Sequence, residues 1–153
     1  MSISEPATLL TDYLLAVIST VFGVILLRAR THRSTLAWSI GFLTLAAAGL
    51  TGGSFHGFRT MMTDSAHRSL WNITLILIGA AAGFMISGAL TGSLSRYDRN
   101  TKWHAVGVVV SIVGLVIQQG HLSPHPSFNH NDLFHCVQIV ALYCFFRGAK
   151  LTA

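Results

Sequence analysis

Residues 121–143, HLSPHPSFNHNDLFHCVQIVALY, pass from a polar loop into an apolar helix and thereby indicate the fold. Two prolines exclude a helix interior from the first half of the segment, and an apolar run begins near residue 130. Either Asn129 or His130 is expected to cap the new helix. Asp132 then falls in the first turn, where a negative charge interacts favourably with the helix dipole.

Four histidines collect in this loop and in the first turns of the helix that follows it: His121, His125, His130 and His135. Neutral imidazole is the commonest metal ligand among side chains. Ionisable groups at the mouth of a membrane helix are costly to bury, and they usually mark a functional site. The segment therefore predicts a site where this helix begins.

The composition excludes an ordinary soluble domain, because 52% of the 153 residues are hydrophobic and only 10% are charged, whereas soluble domains carry about 25% charged residues. Apolar runs near 20 residues predict membrane spans. The sequence predicts an all-α, polytopic transmembrane helix bundle that forms a single domain over residues 1–153. Its five predicted spans are 8–27, 36–55, 70–90, 103–119 and 131–147.

The basic residues predict the orientation of the bundle. Cytoplasmic loops carry an excess of Lys and Arg, and eight of the ten basic residues fall in the first loop, the third loop and the C-terminal segment. We therefore expect an outside N-terminus, a cytoplasmic C-terminus and a location in the inner or plasma membrane. We expect no cleaved signal peptide. We also expect no nucleic-acid partner, since the basic residues are explained as signals of membrane orientation. The eight are Arg28, Arg30, Arg33, Arg96, Arg99, Lys102, Arg147 and Lys150.

This orientation places six of the eight histidines and four of the five acids at or near the outer face. A polar end of this kind is unusual for a chain with so few charges. The group consists of His56, His67, His121, His125, His130, His135, Glu5, Asp12, Asp64 and Asp132.

Three of these histidines form a candidate zinc site. A zinc site with an open position uses three protein ligands and a water, and we expect His56, His130 and His135 to supply the ligands. Asp64 or Asp132 would orient a ligand or act as the general base. The alternative is structural: His56 is an interfacial histidine at a helix end, and the polar groups of the last helix form interhelical hydrogen bonds.

Three further polar residues are candidates for lining the site or binding its cofactor. Asp12 lies one or two turns inside the first span, where solvation explains it poorly, and we expect it to hydrogen-bond to the site or to bind a cation. Asn72 begins the third span. Asn131 shares the spacing of Asp132, His135 and Gln138, which predicts one polar face on the last helix.

Three motifs resemble those of the alkaline ceramidases and the wider CREST superfamily, which includes the progestin and adipoQ receptors. The segment Gly53-Ser54-Phe55-His56 is similar to their second-helix motif. The pair His130 and His135, followed by Tyr143, is similar to the histidine pair of their last helix, and residues 4–12 are faintly similar to their acidic first-helix entry.

The resemblance implies hydrolysis of a lipid amide by a zinc ion that His56, His130 and His135 hold, with Ser54 and Asp64 as the nearby serine and aspartate. The chain departs from the family in three respects. Its serine precedes the histidine by two residues instead of four, its last histidines are spaced i, i+5 instead of i, i+4, and five spans replace seven.

The leading hypothesis is a zinc-dependent integral-membrane hydrolase that acts on a lipid or amphiphilic amide or ester at the outer face, with Ser54 hydrogen-bonded to the oxyanion. The second is a non-catalytic subunit of a larger membrane complex or homo-oligomer, which binds a cofactor such as haem or chlorophyll through outer-face histidines. The third is a metal-ion carrier or sensor that uses His121 and His125.

Overall fold

The computed structural model describes residues 3–93 and 99–151, and it consists of five long helices in these ranges. This confirms the all-α prediction. A short 3-10 turn, Arg59–Met61, joins the second and third helices. The helices are α1 (Pro6–Arg28), α2 (Arg33–Gly57), α3 (Asp64–Ser93), α4 (Arg99–Gln119) and α5 (His130–Lys150). Arg96, one of the predicted orientation signals, lies outside the described ranges.

Four of the five predicted spans correspond to segments that are long and apolar enough to cross a membrane: Pro6–Arg28, Arg33–Gly57, Asp64–Gly92 and Thr101–Gln119. The segment His130–Lys150 is a helix of 21 residues but carries more polar side chains, so the fifth span stays a prediction. The third helix starts at Asp64 and not near residue 70, because the Thr63 hydroxyl accepts a hydrogen bond from the amide of Ala66 (3.2 Å) and begins the helix earlier.

The helices form a bundle in which α1 packs between α2 and α5, α3 packs mainly on α2, and α4 packs mainly on α5, with further contacts between α2 and α5 and between α3 and α4. Successive helices run in opposite directions. The starts of α1, α3 and α5 therefore lie at the same end of the bundle as the ends of α2 and α4, and we call this the polar end. The opposite end, where α1 and α5 finish at Arg28 and Lys150, is called the basic end.

An aromatic core holds the bundle together below the polar end. The ring of Phe22 in α1 stacks on Phe146 in α5 with 4.3 Å between centroids, and it meets Phe42 in α2 edge-on. Trp38 in α2 stacks on His104 in α4 at 4.9 Å. Phe42 and Trp38 are almost completely buried. Because these rings come from four helices, they fix the helices relative to one another and position their upper turns.

The outward faces of α3 and α4 are apolar and exposed. Ile76, Leu90 and Val109 keep 70%, 63% and 61% of their surface. Apolar patches of this extent are rare on soluble monomers, and hydrocarbon is the environment that suits them. The surface therefore agrees with the membrane-protein interpretation of the composition.

Candidate acid–base site at the polar end

The first turns of α1, the last turn of α2 and the start of α5 meet at the polar end and bring together eight polar side chains. We call this group the polar cluster. Its members are Glu5, Thr8, Thr11, Asp12, His56, Asn129, Asp132 and His135.

A carboxylate, an imidazole and a hydroxyl lie in contact at the centre of the cluster. Asp12 Oδ1 lies 3.3 Å from His135 Nε2, and the two side chains are only 10% and 12% exposed. The other ring nitrogen, His135 Nδ1, lies 3.0 Å from the hydroxyl oxygen of Thr11. Both nitrogens of the ring are thus occupied by adjacent residues of α1, and this fixes the plane of the imidazole.

Glycines on α2 allow α1 to approach closely enough to place Asp12 here. A Cβ on Gly49 would lie 2.9 Å from the backbone oxygen of Asp12, and a Cβ on Gly53 would lie 2.7 Å from the ring of Tyr13. A Cβ on Gly52 would lie 3.5 Å from both carboxylate oxygens of Asp12. Larger residues at Gly49 and Gly53 would separate the two helices and displace the carboxylate, whereas a Cβ at Gly52 would make an ordinary van der Waals contact.

His56 ends α2 beside Glu5, with 3.2 Å between Nδ1 and the carboxylate oxygen Oε2. The atoms are close, but their orientation does not make a hydrogen bond, and Nδ1 is buried without any other partner in the described residues. The ring packs edge-on against Phe55 with 5.1 Å between centroids. His56 Nδ1 therefore lies against a carboxylate without a hydrogen bond to it.

The start of α5 confirms Asn129 as the cap in preference to His130. The Asn129 side chain accepts hydrogen bonds from the amides of Asn131 and Asp132, and the Asn129 amide donates to Asp132 Oδ2 at 2.7 Å. Asn129 Nδ2 also donates to the hydroxyl of Thr8 in α1 (3.4 Å). Asp132 is 1% exposed, and its Oδ1 has no hydrogen-bond partner among the described residues.

The predicted zinc ligands do not converge as a set of three. No group of three His, Cys, Asp or Glu side chains with the geometry to hold a metal ion occurs within residues 3–93 and 99–151. The ring of His130 lies against His121 instead, with 4.7 Å between centroids. Residues spaced i, i+5 are separated by about 140° around a helix, so His130 and His135 project in different directions. Zinc binding stays a prediction.

The structure places Asp64 and Ser54 away from the Asp12–His135 contact. Asp64 pairs with Arg59 at 2.9 Å, and its side chain is 72% exposed. Ser54 donates to the carbonyl of Leu50 (2.7 Å) and contacts the hydroxyl of Tyr13 (3.0 Å). Asp64 interacts with its own loop because α3 begins there, and Ser54 hydrogen-bonds within its own helix, as serines in apolar helices often do.

The two asparagines also lie elsewhere. Asn72 is exposed on α3, and Asn131 accepts a hydrogen bond from Gln118 of α4 at 3.3 Å. The predicted single polar face of α5 is therefore divided. Asn131 and Gln138 face α4, where Gln138 meets Ser111, whereas Asp132 and His135 face α1.

Two threonines complete the cluster and were not among the residues predicted from the sequence. The Thr11 hydroxyl lies 3.1 Å from the carbonyl of Thr8, and the Thr8 hydroxyl lies 3.4 Å from Glu5. A signal was present in the sequence, since Thr8, Thr11 and Asp12 are spaced i, i+3 and i+4 and so share one face of α1. Because threonine is common in membrane helices, this spacing does not distinguish a site from ordinary helix composition.

Comparison with protein families gives two overlapping matches that together span nearly the whole chain, over residues 7–99 and 89–153. The chain belongs to DUF6962, a family of unknown function. The matched residues include every member of the polar cluster except Glu5. Comparisons with the curated proteins and with the solved structures found no match.

Proposed function

We propose that the protein is an integral-membrane hydrolase of a lipid or amphiphilic amide or ester, and that Asp12 and His135 are its acid–base pair. The buried contact between Asp12 Oδ1 and His135 Nε2 carries this proposal. A carboxylate and an imidazole within a membrane bundle are costly and usually serve a function. Histidine is also the side chain used most often to transfer protons in catalysis.

The hydrogen bonds of Thr11 assign a proton to one nitrogen of His135. A carbonyl only accepts, so the single hydroxyl proton of Thr11 goes to the Thr8 carbonyl, and His135 Nδ1–H donates to Thr11. His135 Nε2 then faces Asp12 Oδ1 at 3.3 Å, and either atom can accept one further proton. The pair can deliver that proton to a leaving group, and without it the pair can take one from water.

A zinc ion, the cofactor that the sequence predicts, would polarise the substrate carbonyl and activate a water. The donor types suit zinc, since imidazole nitrogens and carboxylate oxygens are among its usual ligands. The described donors nevertheless form two pairs, His135 with Asp12 and His56 with Glu5. We therefore derive the proton transfer from these side chains alone.

The first test is hydrolysis by the detergent-purified protein of a panel of fluorescent lipid amides and lipid esters. We expect Asp12→Asn and His135→Gln to lower the rate by about 10²–10⁴-fold, because each removes the acid–base pair. Arg59→Gln changes an exposed charge at the same end of the bundle and is expected to keep the wild-type rate. Equal rates for wild type and Asp12→Asn would contradict the proposal.

Elemental analysis separates the role of zinc from the role of the pair. About one zinc per chain in the wild type, lost in a His56→Ala, His135→Ala double variant, would establish the metal site. Hydrolysis by a folded, metal-free protein would show that zinc takes no part in the mechanism and would be consistent with the acid–base pair.

A second candidate function, a subunit of a larger membrane complex or homo-oligomer, is favoured by a different observation. A Cβ added to Gly79 or Gly83 on α3 would meet no atom within 4 Å, although such small-residue spacing commonly packs against another helix. Stable co-purification with a larger assembly in mild detergent, without hydrolysis of any lipid in the panel, would favour this function.

A further inference from the structure

An apolar groove runs between α1 and α5 on the membrane-facing side of the bundle. It has a volume of about 420 Å³ and almost no polar surface. Val17 and Val140 on its rim are 60% and 54% exposed, so the groove opens sideways. Its lining residues are Val17, Ile18, Val21, Phe22, Ile139, Val140 and Tyr143.

A cation lies at the basic end of this groove. Arg147 is exposed one turn beyond Tyr143, and its Nη1 donates to the Tyr143 hydroxyl at 3.2 Å. The guanidinium also lies over the ring of Trp103, 5.2 Å from the centroid. Within the part of the chain that the structure describes, no carboxylate pairs with Arg147. Its charge therefore lacks a counter-ion here, while tyrosine and tryptophan hold its position.

We propose that the groove and Arg147 form a binding site for an anionic phospholipid, with the phosphate on the guanidinium and the Tyr143 hydroxyl and one acyl chain in the groove. The guanidinium fork suits phosphate oxygens. Tyrosine and tryptophan are enriched at the level of lipid headgroups. The apolar lining excludes a polar occupant, and the unpaired cation selects an anionic headgroup over a zwitterionic one.

This site is separate from the proposed acid–base pair. Arg147 lies 12 residues along α5 from His135, which corresponds to about 18 Å of helix. The lipid site therefore does not depend on hydrolysis, and Asp12→Asn should bind the lipid as the wild type does.

The test is native mass spectrometry of the detergent-purified, delipidated full chain, titrated with phosphatidylglycerol or with phosphatidylcholine of the same acyl chains. We expect phosphatidylglycerol to bind about fivefold more tightly, since one basic residue near an anionic headgroup contributes that order of affinity. Arg147→Gln should abolish the preference. Arg30→Gln removes the same charge at the same end, away from the groove, and should retain it.

A second pair of variants tests the groove itself. Val140→Trp fills it and should reduce binding of both lipids, whereas Val113→Trp changes a similarly exposed valine of α4 (50% against 54%) and should leave binding unchanged. Equal affinity for the two lipids, or equal behaviour of the Arg147 and Arg30 variants, would overturn the proposal. So would undiminished binding by a folded Val140→Trp variant.

Discussion

Asp12 is a carboxylate inside a segment apolar enough to cross a membrane, and protein groups rather than water surround it. The imidazole of His135 contacts one oxygen of the carboxylate. Because Gly52 has no side chain, there is space beside both carboxylate oxygens. Asp132, which is buried at the start of α5, differs because its own helix satisfies one of its oxygens. Two buried acids of the same cluster are thus stabilised by different means, one by a partner helix and one by a helix cap.

The cap at Asn129 is expected to contribute measurable stability. Asn129→Ala removes the acceptor for two amides and the link to Thr8, and it should lower the free energy of unfolding by about 1–2 kcal/mol. Thermal or denaturant unfolding in detergent micelles measures this change. Asn72→Ala replaces an exposed asparagine of α3 and should stay within about 0.5 kcal/mol of wild type. Similar losses for both variants would show that the cap is unimportant.

At the scale of elements, the contact between α1 and α2 decides where the site forms. The sequence predicted the helices from hydropathy, and from the charged loops it predicted the end of the bundle at which the histidines collect. It did so because each property is visible in the order of the residues. It placed Asp12 at the site but did not predict that Asp12, rather than His130, would contact His135, because the rotation of each helix about its axis depends on packing. At this contact the packing is set by Gly49 and Gly53, whose lack of side chains carries no directional signal in the sequence.

Two glycine substitutions test this contact. In Gly49→Ala the new methyl group would lie 2.9 Å from the backbone oxygen of Asp12, so α1 must shift, and we expect a loss of about 1–3 kcal/mol in unfolding free energy. Gly83→Ala meets open space and should be neutral or should stabilise the helix by up to about 1 kcal/mol. Unfolding in the same detergent compares them, and a harmless Gly49→Ala would contradict the close packing of α1 on α2.

At the scale of the whole molecule, the packing of the helices leaves α3 and α4 with wide apolar faces and gathers the ionisable groups at two ends. The division into a polar end and a basic end follows from antiparallel helices, and the sequence predicted it from charge alone. The sequence did not predict which helices are neighbours, because every span carries small and apolar residues that suit many neighbours.

The predicted orientation can be measured by cysteine labelling. In a Cys136→Ser, Cys144→Ala background, Ser127→Cys at the polar end should react with an impermeant maleimide in intact cells, because this end is expected outside. Arg30→Cys at the basic end should react only after the membrane is permeabilised. The reverse pattern would place the polar cluster on the cytoplasmic side.

The contact between Thr11 and His135 joins residues 124 positions apart, and this separation has a consequence for biosynthesis. Synthesis proceeds from the N-terminus, so Asp12 is made before its imidazole partner. Until α5 packs against α1, the carboxylate lacks the contact with His135 that surrounds it in the finished bundle. This part of the polar cluster therefore forms only after all five helices have been made.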